Sequence, residues 1–329
     1  MWSYILRRLL LATFTLFVVT FIIYALLRNL PGTPLSIEMG EGDPSKQISP
    51  EHLESMKRLY QLDKPWYVAY WYWLGNVLQG NLGNSFRHRV FVTQLIADKI
   101  GPTLWLSVPS FLLTYAISIP VGLYVTRFSG TIRERIISVA LYMLYSMPSY
   151  VLALWLLYWF YLRFAGTVWQ LPPGMVSDHY AELSSAGKVG DLLRHLILPL
   201  FCYSYASLAY DVRFIKANME ETIRQDYIRT ARAKGLDDRT ILFRHAFRNT
   251  LIPFVTLIGL TLPGLISGAI ILEQIFLWDG IGRLFLESLY RYDYNVIMGM
   301  TLMFSAATLA GQLTADILYA FVDPRITYQ

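Results

Sequence analysis

The chain has 329 residues, of which 55% are hydrophobic, 15% aromatic and only 16% charged, and its mean hydropathy is +0.40. Soluble proteins run at about 45–50% apolar and about 25% charged, so disorder, a disulfide scaffold and a secreted enzyme are excluded. The net charge of +5, from 28 Lys and Arg against 23 Asp and Glu, reports topology rather than affinity for nucleic acid. The single cysteine, Cys202, has no intrachain partner, which excludes a cysteine-built metal cluster or redox pair.

In chain order, apolar runs predict six membrane spans, at 9–27, 103–126, 136–162, 196–215, 251–272 and 296–320. The windows 103–126, 136–162 and 251–272 hold no Asp, Glu, Lys or Arg, and each exceeds the roughly 18 residues a crossing helix needs. Arg7 and Arg8 precede the first run, as in a secretory signal. The run is longer than a signal's usual 7–15 residues and ends in Arg28-Asn29-Leu30-Pro31-Gly32 without a small-residue cleavage pattern, so it is read as an uncleaved helix. The fourth span is the weakest, because Asp211 and Arg213 follow Tyr210. Those two are placed at a membrane surface. Prolines 109, 120, 148, 199, 253 and 263 fall inside the spans and predict bent helices.

The segment between the first two spans is too long for a plain connection. Ser49-Pro50-Glu51 reads as a helix start, followed by Leu53, Met56 and Tyr60 on one face. Trp66, Tyr67, Tyr70, Trp71, Tyr72 and Trp73 then predict a helix at headgroup level, read as an aromatic anchor in preference to a ligand-contact surface.

Placing the N-terminus inside puts fifteen Lys and Arg in the cytoplasm and five in the two short outside loops. The first outside segment is discounted, because long translocated segments follow the charge bias poorly. Both termini are therefore placed in the cytoplasm.

The stretch from Met219 to Pro253 is the informative one. Met219, Ile223, Tyr227 and Ala231 recur every four residues and predict one helix with an apolar stripe, ended by Lys234 and Gly235. Asp237 or Asp238 caps a second helix with Leu242 and Ala246 on one side and Arg239 and Arg244 elsewhere, running into the fifth span. Two short amphipathic helices at a glycine bend suit insertion into a groove on another protein. A solvated, positive-inside loop fits the periodicity equally well.

These residues resemble the EAA loop of permease subunits in binding-protein-dependent ABC importers, specifically the first permease of dipeptide and oligopeptide transporters. The resemblance rests on Thr230-Ala231-Arg232-Ala233-Lys234-Gly235 and Arg244-His245-Ala246-Phe247-Arg248-Asn249. It extends over Tyr4-Ile5-Leu6-Arg7-Arg8-Leu9, Leu62-Asp63-Lys64-Pro65, Gly80-Asn81-Leu82-Gly83 with Ser85, and Pro102-Thr103-Leu104. Glu273 with Phe276, Gly280-Ile281-Gly282, and Asp316 with Tyr319 and Asp323-Pro324-Arg325 complete it, so that essentially the whole chain is covered. Two positions depart from the general pattern: Arg229-Thr230-Ala231 stands for Glu-Ala-Ala, and Arg248 stands where a proline is expected. Both departures resemble the peptide branch.

The resemblance implies an all-α polytopic fold with six transmembrane helices, the transmembrane domain of a type I ABC importer. Residues 1–100 would hold the first helix and the extracytoplasmic segment, 101–322 the core with its coupling loop at 216–250, and 323–329 a cytoplasmic tail. It implies a non-catalytic subunit in the cytoplasmic (inner) membrane of a prokaryote. The implied partners are a second homologous permease, two ATPase subunits, an extracytoplasmic substrate-binding protein and membrane lipid, with no nucleic acid. The chain itself would bind no cofactor, ATP and Mg being used by the ATPases; it has no GxxxxGK[ST] loop. The five histidines, His52, His88, His179, His195 and His245, are placed outside the span interiors and form no HExxH, which leaves a membrane metalloprotease unsupported. The implied coupling residues are Asp226, Tyr227, Thr230, Ala231, Ala233, Lys234, Gly235, Arg244, His245 and Asn249. Glu273 is the candidate gate or carrier contact. Asp316 is read as a helix-packing or interfacial residue before a place on the substrate path. Peptide is the leading cargo, with nickel, glutathione or oligosaccharide as alternatives within the branch; an ATP-independent channel or secondary transporter is the alternative of another class.

Overall fold

The computed structural model describes residues 2–34, 54, 55, 57, 58 and 61–322. The predicted helix start at Ser49-Pro50-Glu51, its face of Leu53, Met56 and Tyr60, and the Asp323-Pro324-Arg325 tail lie outside the described residues. Among the described residues the structure is helical, and the one β pairing is an antiparallel bridge between Asn84 and Phe91. Among the described residues five helices are long and apolar enough to cross a membrane, or six when the bent pair Ile132–Ser146 and Ser149–Arg163 counts as one span. The chain forms two compact units, residues 1–101 with 284–310, and 102–283 with 311–327.

In the first unit, α1 (Trp2–Asn29) is covered by α2 (Trp66–Leu78). Tyr70 is the centre of the contact. Its ring meets Phe17, Phe21 and Tyr24, and its hydroxyl lies 3.0 Å from Thr20 Oγ1. Phe17 is twelve residues before the end of α1, about 18 Å by helix rise, so one face of the aromatic helix packs along the middle of α1. Tyr67, Trp71 and Tyr72 remain exposed. Arg28 ties the end of α1 to the approach to α2 by donating to the Gln61 and Lys64 carbonyls, at 3.0 and 2.9 Å.

The Gly80–Ser85 segment docks on the start of α12 (Tyr294–Val322). Ser85 Oγ donates to Asp293 Oδ2 at 2.6 Å, and Asn295 Nδ2 donates to the Asn84 carbonyl at 2.9 Å. Gly83 has φ +83°, and a Cβ there would sit 2.9 Å from Asn295 Nδ2, so glycine is required both by the turn and by the close approach.

In the second unit, α3 (Val92–Arg127, from Pro102 onward) passes through Pro109 and Pro120 without a break. The third predicted span does break. α4 (Ile132–Ser146) and α5 (Ser149–Leu157, with a π-helical extension over Tyr158–Arg163) meet at 90°. Pro148 has no N–H, and the residue before it is pushed out of the helical region; Met147 sits at ψ 121°. The Met147 carbonyl freed by the break accepts the Tyr205 hydroxyl at 2.6 Å, and that paired carbonyl stabilises the corner.

The fourth span is longer than its uncharged core suggests. α6 runs from Ser185 to Ile223, capped by Ser184, whose Oγ accepts the Gly187 N–H at 3.2 Å. This corrects one expectation. His195 lies inside α6 and is buried, with Nδ1 2.9 Å from the Asp191 carbonyl, and not outside a span interior. Asp211 lies within α6, twelve residues before the helix end, and is enclosed by protein. The fifth span is interrupted: α9 (Phe247–Ser267) stops at Gly268, φ +69°, and α10 (Ile270–Ile275) follows. Within this unit, small residues bring α9 against the last turns of α12. A Cβ at Gly259 would come 2.9 Å from Ala315 Cβ, and one at Gly311 would collide with Pro263, the close backbone approach expected where no hydrophobic force drives helix pairing.

Candidate functional site

The loop singled out from sequence is built on α6, α7 (Asp226–Ala233) and α8 (Asp238–Thr240), which continues through a π-helical stretch, Ile241–Ala246, into α9. The single stripe through Met219, Ile223, Tyr227 and Ala231 is not realised. α6 ends at Ile223 and a turn at Arg224 and Gln225 shifts the register, so Ile228 replaces Tyr227 on the buried side. Ile228, Ala231, Leu242 and Ala246 then pack with Leu123, Ile215, Met219 and Phe254 in one core cluster. Tyr227 is 41% exposed, and its hydroxyl accepts Asn249 Nδ2 at 2.7 Å, which ties α7 to α9.

Gly235 has φ +79°, its N–H donates to the Arg232 carbonyl at 2.9 Å, and Leu236 N–H donates to the Ala231 carbonyl at 3.3 Å. This is the glycine-stop geometry of helix ends. No atom lies within 4 Å of where its Cβ would stand, so glycine is needed for the backbone conformation and not for space. Asp237 is the cap of α8: its Oδ2 accepts the Thr240 N–H at 3.1 Å, and the Thr240 hydroxyl together with that N–H holds its carboxyl below the usual range. Asp226, Thr230, Ala233, Lys234, Arg244 and Asn249 are exposed and His245 is half-buried. Leu236 and Phe243 are exposed beside Arg239 and Arg244. The inner face of the loop is therefore satisfied by its own chain, while the outer face offers apolar and basic side chains together.

Glu273 has no exposed surface, so nothing on it is available for a carrier to touch in this conformation. Its carboxylate accepts Thr103 Oγ1 at 3.1 Å and the Arg283 N–H at 3.1 Å. Thr103 Oγ1 in turn accepts the Ile281 N–H at 2.7 Å, and Trp278 Nε1 donates to the Pro102 carbonyl at 2.8 Å. A Cβ at Gly268 would collide with the carboxylate, one at Gly280 would collide with Thr103 Oγ1, and one at Gly282 would lie 3.1 Å from Glu273 Oε2. Pro102-Thr103, Glu273 and Gly280-Ile281-Gly282, separate in sequence, thus form one hydrogen-bonded knot. Asp316 is half-buried next to Ala315 in the last turns of α12.

A cavity of about 520 Å³ opens between α3, α4, α6 and α9 within the second unit. Hydroxyls of Ser107, Ser110, Thr114, Ser207 and Thr261 line it, with Tyr115, Tyr203 and Tyr210 among its rings and Asp211 as its one carboxylate. None of these lining residues was singled out beforehand as a site. The only sequence signal is an acid among apolar neighbours, which the apolar pattern places at a membrane surface.

The family model described as "Binding-protein-dependent transport system inner membrane component" matches residues 118–328, and its N-terminal counterpart, "Binding-prot-dependent transport system membrane comp, N-term", matches residues 1–107. The chain is 37% identical over 327 residues to the oligopeptide transport system permease protein AppB of Bacillus subtilis, covering 99% of each. It is 33% identical over 347 residues to the dipeptide transport system permease protein DppB of Escherichia coli K12, and 31% identical over 330 residues to the glutathione transport system permease protein GsiC of Escherichia coli O6:H1, covering all of each chain. Among solved structures, a chain of the inward-facing MetNI methionine ABC transporter aligns with TM-score 0.53 and 18% identity, over 70% of this chain and 97% of that one; this likeness speaks for the fold alone. The all-helical, multiply spanning architecture is that of a type I ABC importer permease, and the chain belongs to the family of binding-protein-dependent transport system inner membrane components.

Proposed function

We propose that this chain is one of two permease halves of an ABC importer that carries peptides from an extracytoplasmic binding protein across the cytoplasmic membrane of a prokaryote. The observation that carries the substrate class is full-length identity of 33–37% to relatives named as oligopeptide and dipeptide permeases; the glutathione relative is more distant, at 31%. Two separate ATPases, holding ATP and Mg, supply the energy. Asp226, Tyr227, Thr230, Ala231, Ala233, Lys234, Gly235, Arg244, His245 and Asn249 form the coupling loop. Their exposed face, with Leu236 and Phe243 beside basic side chains, suits a groove on an ATPase. ATP-driven closure of the ATPases displaces this loop, and because the loop packs directly on α3, α6 and α9, the displacement passes to the helices around the cavity. Glu273 pins the segment after α9, and Asp316 supports helix packing.

The test is reconstitution. Tri-alanine uptake into vesicles is expected only when the second permease, the ATPases, the binding protein and ATP are all present; uptake by this chain alone without ATP would establish a channel or secondary transporter. Expressed alone, the chain is expected to be poorly dispersed and to become monodisperse on co-expression with its partner permease, as size-exclusion profiles will report, because half of a pathway exposes surfaces shaped for the other half.

Both termini are assigned to the cytoplasm. A reporter after Gln329 or within 128–134 is expected to read inside and one near Ser45 outside, following the excess of fifteen basic residues over five. An inside signal at Ser45 overturns the topology.

A further inference from the structure

Asp211 has no role in the coupling loop, in the knot around Glu273 or in any helix cap. It is 4% exposed, it lines the cavity, and among the described residues no group hydrogen-bonds or ion-pairs with its carboxylate. A buried carboxylate without a partner is costly, and inside a membrane helix such a group marks a functional place by default. Many of the neighbouring hydroxyls are already committed. Ser107 Oγ donates to the Leu265 carbonyl at 2.7 Å, Ser110 Oγ to Leu106 at 2.7 Å and Thr114 Oγ1 to Ser204 at 3.4 Å. They present acceptor lone pairs to the cavity and keep their protons for the backbone.

The rings of Tyr115, Tyr203 and Tyr210 add π faces, which attract cations. Among the described residues no lysine, arginine or histidine lines the space. Arg213, the nearest base along α6, stacks over Tyr142 at 4.5 Å, and Lys216 is held by Glu134 at 2.8 Å. The wall thus carries one carboxylate and no basic side chain, so its charge favours a positive group over a negative one. At about 520 Å³ the space is within the 300–1,000 Å³ usual for small-molecule sites.

We infer that this cavity is a cation subsite on the translocation path, in which Asp211 receives the ammonium group of the cargo. The inference rests on the peptide reading for the source of the ammonium; no basic side chain among the lining residues is there for the cargo's carboxylate end. The physical role is to offset dehydration. An ammonium group crossing a low-dielectric passage loses its water, and a fixed carboxylate with acceptor hydroxyls replaces that hydration.

The experiment uses the complete importer in vesicles with its binding protein and tri-alanine. Asp211→Asn is expected to lower the maximal uptake rate about tenfold, in line with the loss of one hydrogen bond to a charged group. Assembly, basal ATP hydrolysis and the binding protein's affinity should not change. Asp211→Glu is expected to retain most of the rate, which a pure packing role, intolerant of an added methylene, would not permit. Ser207→Lys, one helical turn from Asp211 on the same face, places a competing ammonium in the site and is expected to match Asp211→Asn. Unchanged uptake in either assembled variant overturns the subsite, and so does loss of assembly in Asp211→Asn, which would make Asp211 the partner of a base on the second permease.

A second measurement does not depend on peptide as cargo. Carbodiimide labelling of Asp211 in the assembled complex, read by mass spectrometry, is expected to fall with methylammonium and not with neutral N-methylacetamide. Equal labelling in both overturns the cation site. Failure of the unmodified importer to take up tri-alanine, with methylammonium protection intact, overturns only the peptide reading.

Discussion

Gly235→Val is expected to abolish ligand-stimulated ATP hydrolysis and to reduce uptake at least tenfold in a correctly assembled importer. The residue sits at φ +79° with open space where its Cβ would be. Crowding therefore plays no part, and the effect comes from backbone preference alone. A residue with a Cβ in the left-handed region costs about 1–2 kcal/mol, and β-branching adds to this. The chain can relieve the strain by unwinding the turn, which breaks the bonds from Gly235 to Arg232 and from Leu236 to Ala231 and changes the angle between α7 and α8.

A graded series makes the test specific. Asn tolerates the left-handed region and should keep most of the activity; Ala should be intermediate and Val worst. Binding protein should still dock and the ATPases should still bind ATP in all three, because neither contact requires this turn. Wild-type coupling in an assembled Gly235→Val importer would remove the loop from energy transfer, and equal damage by Asn and Val would show that the outer surface at 235 matters and not the turn.

The spans were legible because a bilayer demands long uncharged runs, and the windows without charge at 103–126 and 251–272 fall on helices. The corner at Pro148 was not, since Pro109, Pro120, Pro199, Pro253 and Pro263 sit inside continuous helices. What distinguishes Pro148 is a distant hydroxyl, that of Tyr205, which no local pattern reveals and which donates to the freed Met147 carbonyl. The helix–turn–helix from Asp226 to Ala246 was legible in place and in its cap and glycine, but not in register. A four-residue repeat counted across Arg224 and Gln225 cannot reveal that the helix stops there, so Tyr227 was put on the wrong face. The burial of Asp211 was not legible either. A charge after an apolar run gives no sign of what encloses it, and only the packing of α3, α4 and α9 around α6 shows the acid lining a cavity.

Glu273 provides the sharpest test of what holds the segment after α9. Glu273→Ala is expected to cut uptake at least tenfold and to lower the melting temperature of the assembled complex by several degrees. Two donors, Thr103 Oγ1 and the Arg283 N–H, lose their acceptor, and each buried donor left unmade costs about 1–3 kcal/mol. Glu273→Gln keeps the volume but turns an amide NH2 toward one of those donors, so it should recover only part of the loss. Gly280→Ala should reproduce Glu273→Ala without touching the carboxylate's chemistry, because a Cβ there collides with Thr103 Oγ1 and comes 2.5 Å from Glu273 Oε2. Docking of the binding protein separates the two roles open to this residue. A pin with no exposed surface leaves docking affinity unchanged in a complex that still assembles, whereas a carrier contact weakens docking and leaves the melting temperature where it was. Matching losses of stability and uptake in Glu273→Ala and Gly280→Ala, with docking intact, would assign the knot to holding the path in shape; a stable Glu273→Ala complex that no longer docks would overturn that assignment.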